Sequence, residues 1–77
     1  MRRLGTVTRV AGGLAIVRRD DGEAGPPDIG TTAVDESLSR VGRVVDVFGP
    51  VDHPYLAVSP AEGVRLPELL GRKLYVR

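Results

Sequence analysis

Asp46 and His53 are the two side chains whose types and proximity in the sequence could exchange a proton near neutral pH. A carboxylate beside an imidazole can serve as a general acid and base, but such catalysis also needs a nucleophile or a pocket that holds the substrate. The sequence shows neither an activated nucleophile nor a pocket signature around this pair. We therefore predict no catalytic residues and expect that the protein is not an enzyme.

Metal chemistry is also disfavoured by the residue types. Asp20, Asp21 and Glu23 form an acidic cluster, but they lack the alternating ligand spacing of a calcium loop, so a solvated turn is the default interpretation. The chain has no cysteine, which removes disulfides and zinc-thiolate sites, and His53 is its single histidine. We predict no metal and no cofactor.

Basic residues occur in pairs near the ends of predicted strands. The pairs are Arg2 with Arg3, Arg18 with Arg19, and Arg72 with Lys73. Because the net charge is only +1, any basic surface must be local, and we favour solvated strand ends. The alternative is an RNA-contacting patch made of Arg18, Arg19, Arg72 and Lys73, which requires that the first, second and last strands bring these residues together.

The length of 77 residues predicts one small domain with thin stability. Hydrophobic residues make up 42% of the chain, which indicates a folded domain, but only three residues are aromatic, so Val, Leu and Ile must fill the core. With disulfides and metals excluded, a protein partner is the expected source of further stability. The N-terminus has no signal-peptide pattern and no segment approaches the roughly 20 apolar residues of a membrane helix. We expect a soluble, cytoplasmic protein.

The elements that must position these residues are short strands. We predict strands over 4–11, 14–19, 33–38, 41–48, 55–59 and 73–77, with at most one helical turn within 60–72. Gly12-Gly13 joins the first two as a β-hairpin, and residues 20–32 read as a long, flexible, exposed loop. Six short strands without helical periodicity predict an all-β fold, a single domain over 1–77 built as a small closed or nearly closed barrel, because closure removes unpaired edges.

The segment 44–55 combines the strongest strand with two proline turns. Strict alternation places Val44, Asp46 and Phe48 on one face, with Val45 and Val47 on the other, so both faces are largely apolar. One face can cover the core and the other can contact a partner. Pro50 and Pro54 restrict the backbone, and the residue before each proline, Gly49 or His53, is expected to be extended. The loop is therefore predicted to be stiff.

A stiff loop edged by apolar side chains loses little entropy when it docks on another protein. We predict that this loop is a partner-binding segment made of Val47, Phe48, Gly49, Pro50, Val51, Pro54 and Tyr55. The alternative is that Phe48 and Tyr55 are core residues. Asp46 is expected to accept a hydrogen bond that fixes the Gly49-Pro50 turn, or to meet a basic group at an interface, and we favour the first.

The spacing in this segment also matches a known pattern. The matching residues are Gly42, Val44, Asp46, Val47, Phe48, Gly49, Pro50, Val51, Pro54 and Tyr55. Flanking matches are Leu4-Gly5-x-Val7, Ile29-Gly30, Val34-Asp35-Glu36 and Gly71-x-Lys73-Leu74-Tyr75-Val76. Together they cover nearly the whole chain and resemble the signature of the Gar1 family, the small subunits of H/ACA ribonucleoproteins that make pseudouridine in RNA.

The resemblance implies a six-stranded, translation-factor-like barrel that does no chemistry itself. Family members dock on the catalytic domain of a dyskerin/TruB-like pseudouridine synthase and promote substrate loading and product release during rRNA pseudouridine formation. In archaeal particles the subunit stands away from the guide RNA, so its RNA contact is mostly indirect. Eukaryotic relatives carry Gly/Arg-rich tails that bind RNA, and since this chain shows none it resembles the short archaeal form.

Two rival functions share the predicted architecture. A free-standing barrel that binds RNA would have affinity without any synthase, although few aromatic residues are available for stacking bases. A translation-factor-like barrel would bind the ribosome instead. An exposed apolar surface also predicts that the isolated chain can self-associate.

Overall fold

The computed structural model describes residues 2–19, 25 and 27–76, and within them the chain is an all-β barrel without α-helix. The elements are β1 (Arg2–Ala11), β2 (Leu14–Arg18), β3 (Thr32–Val34), β4 (Arg40–Phe48), β5 (Tyr55–Pro60), a 3-10 turn η1 (Leu66–Leu69) and β6 (Lys73–Val76). The predicted fold class is confirmed. In these ranges, no helix has the length and apolar character that crossing a bilayer requires.

The barrel is closed by antiparallel pairs in the order β1-β2-β5-β4-β3-β6, with β6 returning to β1. The β1–β2 hairpin turns at Gly12-Gly13 as predicted. Every strand therefore has a hydrogen-bonded neighbour on both sides, which removes the exposed edges that invite aggregation.

Aliphatic side chains alone fill the core. The largest fully buried side chains are Leu4, Leu56, Leu74, Val7, Val17, Val34, Val44 and Val58. They come from all six strands, and none of the three aromatic residues is among them. Of the predicted Val, Leu and Ile, the packing is confirmed for Val and Leu, whereas Ile16 is buried outside the core cluster and Ile29 is exposed.

The strand register sorts residues into inward and outward rows. Val7, Val17, Leu56 and Val47 pair across β1, β2, β5 and β4 and face the core. The adjacent row runs outside the barrel through Thr6, Arg18, Tyr55 and Phe48, because neighbouring positions on a strand point to opposite faces. This outer row contains Tyr55 and Phe48, two residues of the predicted partner-binding segment.

A β-bulge in β4 overturns the predicted sharing of faces. Val44 pairs with Val58 and Asp46 pairs with Ala57, so Val45 is an extra residue without a partner position. Val44 and Val47 consequently face the core, whereas Val45, Asp46 and Phe48 are exposed. The prediction that Val44, Asp46 and Phe48 share one face was wrong, because strict alternation does not survive a bulge.

The connections around β3 also differ from the prediction. The strand predicted over 33–38 covers Thr32–Val34 only. A tight turn follows, in which the Asp35 carboxylate accepts hydrogen bonds from the backbone N–H groups of Ser37 (2.8 Å) and Ser39 (3.0 Å). The predicted loop 20–32 lies partly outside the described residues, at 20–24 and 26, and its end at Gly30 and Thr31 is hydrogen-bonded to the backbone of Val44.

Leu38 closes that turn in a conformation that strains its backbone. Its φ is 67°, and it is the one non-glycine residue with positive φ in the described ranges. The left-handed region costs an ordinary L-residue roughly 1–2 kcal/mol, whereas Asn tolerates it. We expect Leu38→Asn to stabilise the protein by up to about 1 kcal/mol, measured by urea denaturation.

Leu70 provides the matched control for that substitution. It is as exposed as Leu38 (51% against 50%), but its φ of −56° is unstrained. We expect Leu70→Asn to change the free energy of unfolding by less than about 0.5 kcal/mol, as is usual for surface sites. Equal shifts in the two variants would show that removal of an exposed apolar side chain, rather than relief of strain, is responsible.

Candidate docking surface

Phe48 and Tyr55 form a stacked pair on the outside of the barrel. They are directly paired where β4 ends and β5 begins, with ring centroids 5.9 Å apart and planes inclined by 22°. Phe48 is 39% exposed, and neither ring belongs to the core cluster. Of the two alternatives for these aromatics, the structure therefore excludes the core.

The connection between β4 and β5 extends this apolar surface. Val51 is 96% exposed, Pro50 is exposed, and Pro54 is half-buried. A backbone hydrogen bond from the N–H of His53 to the carbonyl of Pro50 (3.2 Å) closes a turn within the connection. We use the term docking surface for Phe48, Gly49, Pro50, Val51, Pro54 and Tyr55.

Gly49 makes the turn into this connection, and its geometry corrects the prediction. Its φ is +92°, not the negative value of the extended backbone expected before a proline. A Cβ at this position would lie 3.1 Å from Cδ1 of Tyr55, so a side chain would meet both strain and crowding. Glycine is thus needed for the chain to turn beside the Tyr55 ring.

Val47 and Asp46 occupy positions different from those predicted. Val47 packs against the core cluster and pairs with Leu56, so it supports the docking surface from beneath. Asp46 is exposed, and its Oδ1 accepts a hydrogen bond from the N–H of Val47 (2.9 Å). The expected role in fixing the Gly49-Pro50 turn was wrong, because the carboxylate acts within the β4 bulge.

A cleft beside the aromatic pair contains residues that the sequence did not single out. It has a volume of about 270 Å³ and is lined by Thr8, Arg9, Ile16, Phe48 and Tyr55. Thr8, Arg9 and Ile16 lie on β1 and β2, far from the 44–55 segment in the chain. The strand order of the barrel alone brings these three residues next to the 44–55 segment. No local pattern in the sequence predicts this proximity. We refer to this feature as the aromatic cleft.

The structure brings two residues of the predicted RNA-contacting patch, Arg18 and Lys73, into one row of the barrel wall and places Arg19 and Arg72 elsewhere. Arg18 is exposed and pairs with Tyr55, whereas Lys73 is exposed on β6 at the other side of β1. Arg72 lines a different recess, together with Arg40 and Arg65.

Arg19 is only 8% exposed, and its Nη1 donates to the carbonyl of Gly25 at 3.2 Å. This burial does not favour contact with an external phosphate. Of the four predicted residues, Arg18 and Lys73 are the two that are exposed on strands, and they lie on either side of Thr6.

The residues considered for catalysis, Asp46 and His53, do not line the aromatic cleft, although His53 lies in the connection between β4 and β5. In the part of the chain that the structure describes, no three His, Asp or Glu side chains are arranged to hold a metal ion. The acidic cluster at Asp20, Asp21 and Glu23 lies outside the described residues.

The fold and this surface define a small closed β-barrel that presents an exposed aromatic and proline-rich surface, which is the form of a binding module within a larger assembly. A family model described as "Gar1/Naf1 RNA binding region" matches residues 1–77. The chain belongs to this family, and the resemblance found in the sequence is confirmed. Gar1 proteins are non-catalytic, accessory subunits of H/ACA ribonucleoproteins.

A relative in Methanothermobacter thermautotrophicus is 28% identical over 79 residues, which cover 99% of this chain and 83% of that protein. It is described only as an uncharacterized protein. The similarity therefore extends over all the strands of this barrel.

Proposed function

We propose that this protein is the Gar1-type subunit of an archaeal H/ACA particle and acts in the cytoplasm by binding the catalytic domain of a dyskerin/TruB-like pseudouridine synthase. Family membership supports the particle, and the exposed Phe48–Tyr55 pair supports the mode of binding. A monomer that leaves a large aromatic ring and a fully exposed Val51 at one corner has an unsatisfied apolar surface. The synthase covers this surface in the assembled particle.

The energy available from the docking surface is sufficient for a specific contact. Complete burial of one large apolar side chain contributes roughly 1.5–3 kcal/mol. Binding energy at protein interfaces is concentrated in a few such anchors near the centre. Phe48 and Val51 still have exposed surface to bury. The closed barrel holds β4, which carries Phe48, and it also holds both strands that flank the connection containing Val51.

A non-catalytic subunit changes turnover only by differential binding. It must favour one position of the synthase loop that grips the substrate RNA over another, because a ligand with equal affinity for both states shifts neither. We propose that the docked barrel favours the positions that permit substrate loading and product release.

Multiple-turnover pseudouridine formation by a reconstituted particle tests this role. We expect the rate of multiple turnover to rise when the protein is added. The single-turnover rate at saturating substrate should change less, because substrate loading and product release do not limit that rate. The control is the same particle without this subunit. Unchanged multiple turnover, despite stable binding of the protein, would contradict the proposed role.

Direct contact with RNA is the second candidate, favoured by the description of the family and by the exposed Arg18 and Lys73. It differs from the first by predicting affinity for guide RNA in the absence of the synthase, with a steep dependence on salt. Self-association of the isolated chain is a further outcome of leaving the docking surface uncovered. It should disappear when the synthase is bound.

A further inference from the structure

Arg9 reaches the aromatic cleft because of a second β-bulge. Val7 pairs with Val17, but Arg9 pairs with Ile16, so Thr8 is an extra residue in β1. With regular alternation Arg9 would share the inward face of Val7. The bulge instead exposes Thr8 and Arg9 together and turns the guanidinium toward the outside, a common use of bulges beside binding sites.

Ile16 and the rings of Phe48 and Tyr55 give the cleft an apolar part, beside the polar groups of Thr8 and Arg9. Ile16 lies between the inward residues Ala15 and Val17, so its side chain is on the outer face and does not belong to the core cluster. It is nevertheless buried. Phe48 and Tyr55 form the opposite wall. The Thr8 hydroxyl donates a hydrogen bond to the backbone carbonyl of Ile16 (3.4 Å). Among the lining residues, Arg9 is the one with a charged side chain.

We propose that the aromatic cleft receives an apolar side chain of the partner synthase whose neighbouring carboxylate pairs with Arg9; this inference rests on the proposed function. A guanidinium presents a planar fork that matches a carboxylate and keeps its charge at any physiological pH. The volume of about 270 Å³ admits an aliphatic or aromatic side chain.

A protein segment fits this cleft better than a nucleic-acid backbone. The apolar part of the lining gains little from a strongly hydrated phosphate, whereas the burial of an aliphatic side chain against it is favourable. Phe48 and Tyr55 already stack on each other, so a base cannot insert between them. The combination of an apolar wall with one cation therefore favours an apolar residue next to Asp or Glu.

The test measures the affinity of the synthase, without RNA, for the wild-type protein and for Arg9→Gln and Arg9→Lys. We expect Arg9→Gln to weaken binding about three- to tenfold, and Arg9→Lys, which keeps the charge but loses the planar fork, to bind with an affinity between those of Arg9→Gln and the wild type. Both differences should shrink at high salt. Arg43→Gln is the matched control, because Arg43 is an exposed arginine of the barrel wall that does not line the cleft. Its affinity should stay within about twofold of the wild type.

The outcomes separate this inference from the proposed function. If the wild-type protein fails to bind the synthase, the proposed function itself is wrong. If the wild type binds and Phe48→Ala weakens binding, but Arg9→Gln behaves like Arg43→Gln, the proposed function is supported. The inference that a carboxylate of the synthase pairs with Arg9 is then wrong. If Arg9→Gln lowers affinity only for guide RNA, the guanidinium contacts phosphate and the inference is also overturned.

Discussion

Gly5→Ala is expected to unfold the barrel or to reduce its stability by about 3 kcal/mol or more. The φ of Gly5 is +145°, and an added Cβ would overlap the carbonyl oxygen of Arg18 and lie 2.8 Å from its carbonyl carbon. Backbone atoms of a paired strand cannot yield as a flexible side chain does. Steric overlap in a packed site typically costs 1–3 kcal/mol, and the strained φ adds roughly 1–2 kcal/mol.

Gly12→Ala is the control for that experiment. Gly12 also has positive φ, +61°, but no atom lies within 4 Å of its added Cβ. We expect a loss of only about 1 kcal/mol, from the conformational penalty alone. Denaturant midpoints of the two variants provide the comparison, and similar losses would show that the close approach of β1 to β2 at Gly5 does not limit stability.

Phe48→Ala combined with Val51→Ala is expected to abolish capture of the protein by the synthase while leaving the barrel folded. Central apolar anchors at interfaces contribute about 2 kcal/mol or more each, so loss of both should lower affinity on the order of 1,000-fold. Folding should suffer little, because Val51 is almost fully exposed and Phe48 lies outside the core cluster. Pull-down with the synthase measures the first effect, and circular dichroism measures the second.

Leu70→Ala serves as the control variant for binding. Leu70 is an exposed apolar residue that follows η1, in a segment separate from the docking surface. We expect binding equal to that of the wild type. If the Phe48/Val51 double variant still binds the synthase as the wild type does, the docking surface is not the site of binding. If the variant loses the circular dichroism signal of the folded barrel, these residues are needed for folding instead.

Much of the barrel could be predicted from the sequence, because local chemistry determines much of it. The β-branched runs define β1, β2 and β4, and Gly12-Gly13 marks the hairpin. The small number of aromatic residues predicts a largely aliphatic core, but the sequence left open whether Phe48 and Tyr55 belong to it, and the structure places them outside. The number of strands then favours closure, since a flat sheet of this size would leave edges exposed.

The rest depended on long-range pairing that the sequence does not encode locally. The bulges at Thr8 and Val45 appear only when the register of the neighbouring strands is known. They decide that Arg9 and Asp46 point outward, and the first creates the charged side of the aromatic cleft. The positive φ of Gly49 was also not predicted. The preference for extended backbone before proline was applied to it, but glycine adopts positive φ more readily than any other residue.

The purely aliphatic core gives this protein an unusual spectroscopic property. With no tryptophan and only Tyr55 and Tyr75 as emitters, its intrinsic fluorescence arises from the half-buried wall and not from the interior. In a Tyr75→Phe background, all emission comes from the ring that stacks on Phe48. The molecule thus carries a label-free optical sensor at the position where another polypeptide would shield it from water.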